Sequence, residues 1–379
     1  MRTRIIKFSK GIIFILVAYV VVLASGFFGV KYGLTNTAGV VDDKSVYFQK
    51  ETEEISGMQK IEQADKKDQN IQDEITKIKN TNYCEIDAVG AFAPVNASSI
   101  IVSYDKTGSD ALAAKMILAA SLRLQGNADF QARLAACQGS SSSNSDLNAL
   151  GEKFGNTQSK NIFPWMNTKE WLTIQAATLK DKEAIDKAGA VAGIEPRLIV
   201  ASMIVEQLRL FNSEREVFKK FFEPLKVLGN ADKISLGVMG IKEATAIQIE
   251  NNLKDPESPY YLGPQDEHLL DFSTDNPEQE RFNRLTDEKN NHYYSYLYGA
   301  LYLKEMMEQW RRAGFDIQYR TEIVGTLFNV GFPQSKPKAD PKVGGSAIDV
   351  GDGKYSFGSL AYEFYYSGVM TDDFPYVIK

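Results

Sequence analysis

Between Pro196 and Leu210 the chain carries apolar residues on two helical stripes at once. Positions 198, 201, 205 and 208 are Leu, Ala, Val and Leu, and positions 199, 203, 206 and 210 are Ile, Met, Glu and Leu. A helix that is apolar over most of its circumference has no face to offer water, so it must sit inside a folded body. Pro196 fits its first turn, where the missing N–H costs nothing. Glu206 interrupts the second stripe. A buried carboxylate without a partner is costly, so such a residue pairs, protonates or faces a cleft. Pairing with Arg209 or Lys242 is the structural reading, and a proton-donating acid is the functional one.

The rest of the chain extends the helical pattern, giving a mainly α fold class. Helices are expected at 168–189, 196–212, 214–227, 242–253, 277–312, 319–330 and 357–367, with Gly193, Gly229, Pro256, Gly314 and Gly331 marking boundaries. They form one larger domain over 160–379, reached through a Ser-rich linker at 138–159. Ahead of it lies a small α/β or helical module at 84–137. There SSIIVSY (98–104) is β-branched and strand-like, whereas SDALAAKMILAASLRLQG (109–126) is a helix capped by Ser109 or Asp110. Residues 31–80 are polar and read as a helical stalk or a tether. GGSAIDVGDGKYS (344–356) reads as a surface loop: Tyr355 follows Lys354 where a phosphate-binding loop needs Ser or Thr, and its acids miss the calcium-loop spacing.

Residues 11–30, GIIFILVAYVVVLASGFFGV, carry no charge and follow Arg2, Arg4, Lys7 and Lys10. About 20 apolar residues cross a bilayer as a helix, and the positive flank stays in the cytoplasm. The expected organisation is therefore a cytoplasmic stretch at 1–10, a transmembrane anchor at 11–30 in the cytoplasmic membrane, and the bulk of the chain on the extracytoplasmic or periplasmic side. A cleaved signal peptide is the competing reading. In an oxidising compartment Cys84 and Cys137 can form one disulfide, with two unpaired thiols as the alternative. A net charge of -6 argues against a nucleic-acid partner, and two His with two Cys make no His/Cys metal cage.

Four motifs, in order, resemble the soluble lytic transglycosylase and goose-type lysozyme superfamily. GIEPRLIVASMIVEQ (193–207) is similar to the helix that carries that family's acid. GVMGIKEATA (237–246) aligns without a gap on its GLMQIMPATA-like run. YLYGALYLKEMMEQW (296–310) resembles its helix with a Gly-Ala pair, and TLFNVG (326–331) stands where it has an AYNAG-like motif. The similarity covers roughly residues 190 to 335 and leaves residues 1–160 out.

The resemblance implies a lysozyme-like domain and a lytic transglycosylase that cleaves the β-1,4 bond between N-acetylmuramic acid and N-acetylglucosamine in peptidoglycan. Glu206 would be its single acid/base, leaving a 1,6-anhydro end with no cofactor. Gly237, Val238 and Met239 would line the glycan groove, and Asn329 would support it. Tyr294, Tyr296 and Tyr298 would stack on sugars or belong to the core. Partners implied are glycan strands and the membrane, with room for an envelope protein complex. This sequence departs from the family pattern at Gln207 for Ser, Gly240 for Gln and Phe328 for Tyr, and FKKFFEPLKVLG (218–229) looks inserted. These departures keep open a glycan-binding or scaffolding protein of reduced activity, and an adaptor without a glycan role. A hydrolytic goose-type lysozyme would need a further acid, such as Glu214, Glu216, Glu223 or Asp232.

Overall fold

Pro94, Pro196 and Pro277 open helices, and Gly108 and Gly193 close them. The structure is a computed structural model that describes residues 71–137, 146–155, 159–211, 235–286 and 292–377, together with Val21 and Ser25. The rest of the expected anchor at 11–30, the stalk up to residue 70 and the helix expected at 214–227 lie outside the described residues. Among the described residues no helix is long and apolar enough to cross a membrane.

The first helices are α1 (Ile71–Gly90), α2 (Pro94–Thr107), α3 (Asp110–Arg123), α4 (Ala128–Cys137) and α5 (Leu147–Phe154). SSIIVSY, expected as a strand, lies inside α2. Pro94 opens that helix, and Gly108, at φ 63°, closes it by donating its N–H to the Tyr104 carbonyl. Ala97, Ile100, Ile101 and Tyr104 fall at helical spacing and are all buried. Packing against α1, α3 and α5 thus overrides the strand preference of Ile and Val. Ser109 caps α3 by accepting the Leu112 N–H at 3.1 Å. The module also begins earlier than residue 84, because α1 runs unbroken across the stalk boundary expected at 80. Cys84 and Cys137 are disulfide-bonded and join α1 to the end of α4. Their separation of 53 residues makes the cross-link worth about 4 kcal/mol of unfolded-chain entropy.

The larger part comprises a 3₁₀ turn (Pro164–Asn167), α6 (Lys169–Lys180), α7 (Lys182–Ala192), α8 (Pro196–Phe211) and the two-residue strands β1 (Ser235–Leu236) and β2 (Ile241–Lys242). There follow α9 (Glu243–Lys254), α10 (Pro277–Thr286), α11 (Tyr293–Arg312), α12 (Thr321–Val330), β3 (Ala347–Val350), β4 (Gly353–Ser356) and α13 (Phe357–Tyr366). Three sequence expectations change here. The helix expected at 168–189 breaks at Asp181, and the one expected over 277–312 is two helices, with His292 left-handed at φ 59° just before α11. One carboxylate oxygen joins both breaks: Asp181 Oδ2 accepts the Tyr296 hydroxyl at 2.7 Å and lies 2.7 Å from His292 Nδ1. The loop expected at 344–356 contains the antiparallel hairpin β3–β4, paired from Ala347 with Ser356 to Val350 with Gly353. In β3, buried Ile348 and Val350 alternate with exposed Ala347 and Asp349, the period of a strand with one covered face.

Helix α8 lies at the centre, packed by α6, α7, α11, α12 and α13. Its Arg197 is completely buried and donates to the carbonyls of Phe364, Tyr365, Val369 and Phe374 at 2.9–3.1 Å. Those carbonyls belong to the last turn of α13 and the segment after it, where a helix presents its negative end. Buried Glu363 of α13 accepts the Trp165 indole N–H at 2.8 Å and pairs with Arg123 of α3, fastening the first helices to the second group.

Candidate active site

Every residue of α8 from Arg197 to Glu206 is buried, as its two apolar stripes require. Glu206 is 3 % exposed. Arg209, one turn further along, donates from Nε to Glu206 Oε2 at 2.9 Å and from Nη2 to Glu206 Oε1. Both carboxylate oxygens are therefore held by one guanidinium, the two-point geometry that suits this pair.

The second motif forms a tight hairpin against this carboxylate. Strands β1 and β2 pair Ser235 with Lys242 and Leu236 with Ile241, leaving Gly237–Gly240 as the turn. Gly237 and Gly240 both take left-handed backbone, at φ 62° and 61°. A Cβ on Gly237 would overlap the Leu285 carbonyl oxygen, and a Cβ on Gly240 would overlap the Glu206 carboxylate. Both turn glycines are thus required twice, by conformation and by close approach. Gln207 Nε2 donates to the Val238 carbonyl at 2.5 Å, and the Met239 N–H donates to Ser295 Oγ at 3.3 Å, so the turn is strapped to α8 and α11. Met239 is fully buried and fills the notch left by Gly299. Its side chain belongs to the core and does not face a groove. Gly240→Ala is expected to cost about 1–2 kcal/mol for the left-handed backbone alone and to push Glu206 out of place. Urea unfolding of the variant measures the first effect, and an unchanged midpoint would contradict it.

The other expected site residues are dispersed. Tyr296 is buried on Asp181, and burial followed by that carboxylate pushes its hydroxyl well above the usual phenol range. It is a core residue and offers no face to a sugar. Tyr298 is likewise buried and donates to Glu250 at 2.5 Å, while Tyr294 is half-buried under the Arg284 guanidinium. Asn329 Oδ1 accepts from the Ser346 N–H at 2.7 Å and from its hydroxyl at 3.0 Å. It fixes the segment leading into β3, and among the described residues no hydrogen bond joins it to Glu206 or the hairpin. Phe328 packs its ring against Tyr302 and Phe357. Glu214, Glu216, Glu223 and Asp232 lie outside the described residues.

Among the buried acids that the sequence does not single out is Glu305. Glu305 of α11 is fully buried, with Oε2 accepting from Asn252 at 2.9 Å and Oε1 without a hydrogen-bond partner among the described residues. Burial raises its pKa well above the ordinary value of 4.5. The signal was present: Glu305 interrupts the apolar run of α11 as Glu206 interrupts that of α8. Because the folded chain keeps a proton that the unfolded chain loses near pH 4.5, stability falls as pH rises above that point. Glu305→Gln cannot titrate, so its fall in unfolding free energy from about pH 5 to about pH 8 is expected to be shallower than that of the parent chain. Equal slopes would show that Glu305 is ionised in the fold.

No family model matches this chain, and no curated protein or solved structure matches it significantly. Among the described residues no group of His, Cys, Asp and Glu is arranged to hold a metal. What the site offers chemically is one carboxyl group, a guanidinium and the backbone of a glycine-bounded turn.

Proposed function

We propose that the chain is a membrane-anchored peptidoglycan lytic transglycosylase with a lysozyme-like helical domain, acting on the extracytoplasmic side. The observation that carries this reading is the contact between Glu206 and Gly240. The acid-bearing helix and the hairpin are separate motifs of the resemblance, and they meet at the carboxylate.

In this mechanism Glu206 donates its proton to the glycosidic oxygen as the C1–O bond breaks, and N-acetylglucosamine leaves as an alcohol. The resulting carboxylate then takes the proton of the muramic C6 hydroxyl while that oxygen bonds to C1. The product is a 1,6-anhydro ring, no water is consumed, and Glu206 ends protonated. One acid/base suffices, in contrast to the paired carboxylates of most glycosidases. Incubating the full chain with purified sacculi is expected to release 1,6-anhydro muropeptides detectable by mass spectrometry. Reducing-end products alone would move the assignment to a hydrolytic lysozyme.

A second reading is favoured by the Arg209 pair, which occupies both oxygens of the acid. On that reading the protein binds glycan in an envelope assembly without cleaving it. Retained binding to sacculi with no release of muropeptides would select it.

A further inference from the structure

The acid of the proposed mechanism must present a protonated oxygen to the leaving group, yet in this structure both oxygens of Glu206 accept from a guanidinium. Oε2 accepts Arg209 Nε and Oε1 accepts Arg209 Nη2. The Glu206 side chain is 4 % exposed, whereas that of Arg209 is 14 % exposed. The guanidinium is the member of the pair nearer to solvent. Its Nη1 makes no hydrogen bond among the described residues, so the fork has donor capacity left for an incoming anion. Arg209 stands in the last turn of α8, beyond the stretch from Arg197 to Glu206 that is buried throughout.

A guanidinium fork accepts a second carboxylate with the same two-point geometry it uses for the first. A muramic glycan carries such groups, either as the lactyl acid or on a stem peptide, whereas a polymer of N-acetylglucosamine carries none. We propose that Arg209 is a carboxylate-reading latch: it holds both oxygens of Glu206 until a carboxylate of a bound glycan takes their place. The catalytic consequence rests on the transglycosylase reading above. Released Glu206 then enters the proton cycle given above, in which ring closure returns the proton that bond cleavage takes. Arg209 is thereby a positioning residue that also sets specificity for acidic glycans.

Calorimetric titration of the full chain carrying Glu206→Gln tests this without turnover. The probes are a peptide-free tetrasaccharide of alternating N-acetylglucosamine and N-acetylmuramic acid, the same molecule with its lactyl acids converted to carboxamides, and the peptide-bearing tetrasaccharide. The free acid is expected to bind at least about tenfold more tightly than the carboxamide. A preference shown only by the peptide-bearing form supports the same latch with the stem peptide as the source of the carboxylate. Glu206→Gln/Arg209→Gln, which leaves no unpaired buried charge, is expected to bring the affinities to within about twofold, and Glu206→Gln/Arg209→Lys to restore part of the gap. Equal affinities in the parent variant, a gap that survives Arg209→Gln, or no binding to any probe would overturn the proposal. The two readings fail separately. Anhydro products from the wild-type chain without carboxylate preference remove the latch alone. Carboxylate preference without anhydro products removes the transglycosylase alone.

Discussion

On the proposed transglycosylase reading, Glu206→Gln is expected to reduce the release of 1,6-anhydro muropeptides by about 10²–10⁴-fold, the usual contribution of a positioned general acid. Glutamine keeps the volume of the side chain and can still accept from Arg209, so the packing against Gly240 survives. What it lacks is a proton it can give to the glycosidic oxygen and take back from the C6 hydroxyl. The substitution leaves Arg209 without its counter-charge, but that side chain retains some contact with solvent, which limits the loss of stability. Circular dichroism should therefore show an unchanged fold beside the lost activity. Release at the wild-type rate would end the assignment of Glu206 as the acid.

Arg197→Met is expected to destabilise the fold by about 3–5 kcal/mol. Four carbonyl oxygens converge on this one fully buried guanidinium. Methionine fills much of the space but donates to none of them, and each buried acceptor left unpaired costs about 1–3 kcal/mol. The loss concentrates on one segment. Val369 and Phe374 lie beyond α13, and the Tyr376 ring stacks on the guanidinium at 4.4 Å. Glu195, two residues before Arg197, accepts the Tyr365 hydroxyl at 2.7 Å and the Val377 N–H at 3.1 Å. Residues 367–377 should thus become protease-sensitive in Arg197→Met before global unfolding. Arg197→Lys keeps the charge, but its three donors cannot reproduce the planar fork, so it should recover only part of the stability. A urea midpoint equal to that of wild type would refute this account of the buried arginine.

Helices with strong boundary residues could be read from the sequence. Gly193 closes α7 and Pro196 opens α8 as expected, and the apolar stripes correctly placed that helix in the core. SSIIVSY could not be read this way, because its β-branched residues form a helix only when α1, α3 and α5 bury Ile100 and Ile101 together. The hairpin at 347–356 was hidden by the glycines around it, although Ile348 and Val350 alternate with outward residues. At the site, local spacing named Arg209 as a partner for Glu206, since residues three apart share a helix face. The pressing of Gly240 onto the carboxylate joins residues 34 positions apart, 240 less 206, and no local pattern encodes it. Which of the two roles Tyr296 takes was open for a related reason, since helical spacing does not say which aromatic turns inward. The resemblance that set Met239 in a groove says nothing of the Gly299 notch that takes its side chain.

The meeting of Gly240 with Glu206 also constrains how this chain can change over evolutionary time. Positions 206, 209 and 240 behave as one epistatic unit. Any side chain at 240 must evict the carboxylate, and an evicted carboxylate abandons its guanidinium. A side chain is therefore not expected to enter at 240 by a single neutral step.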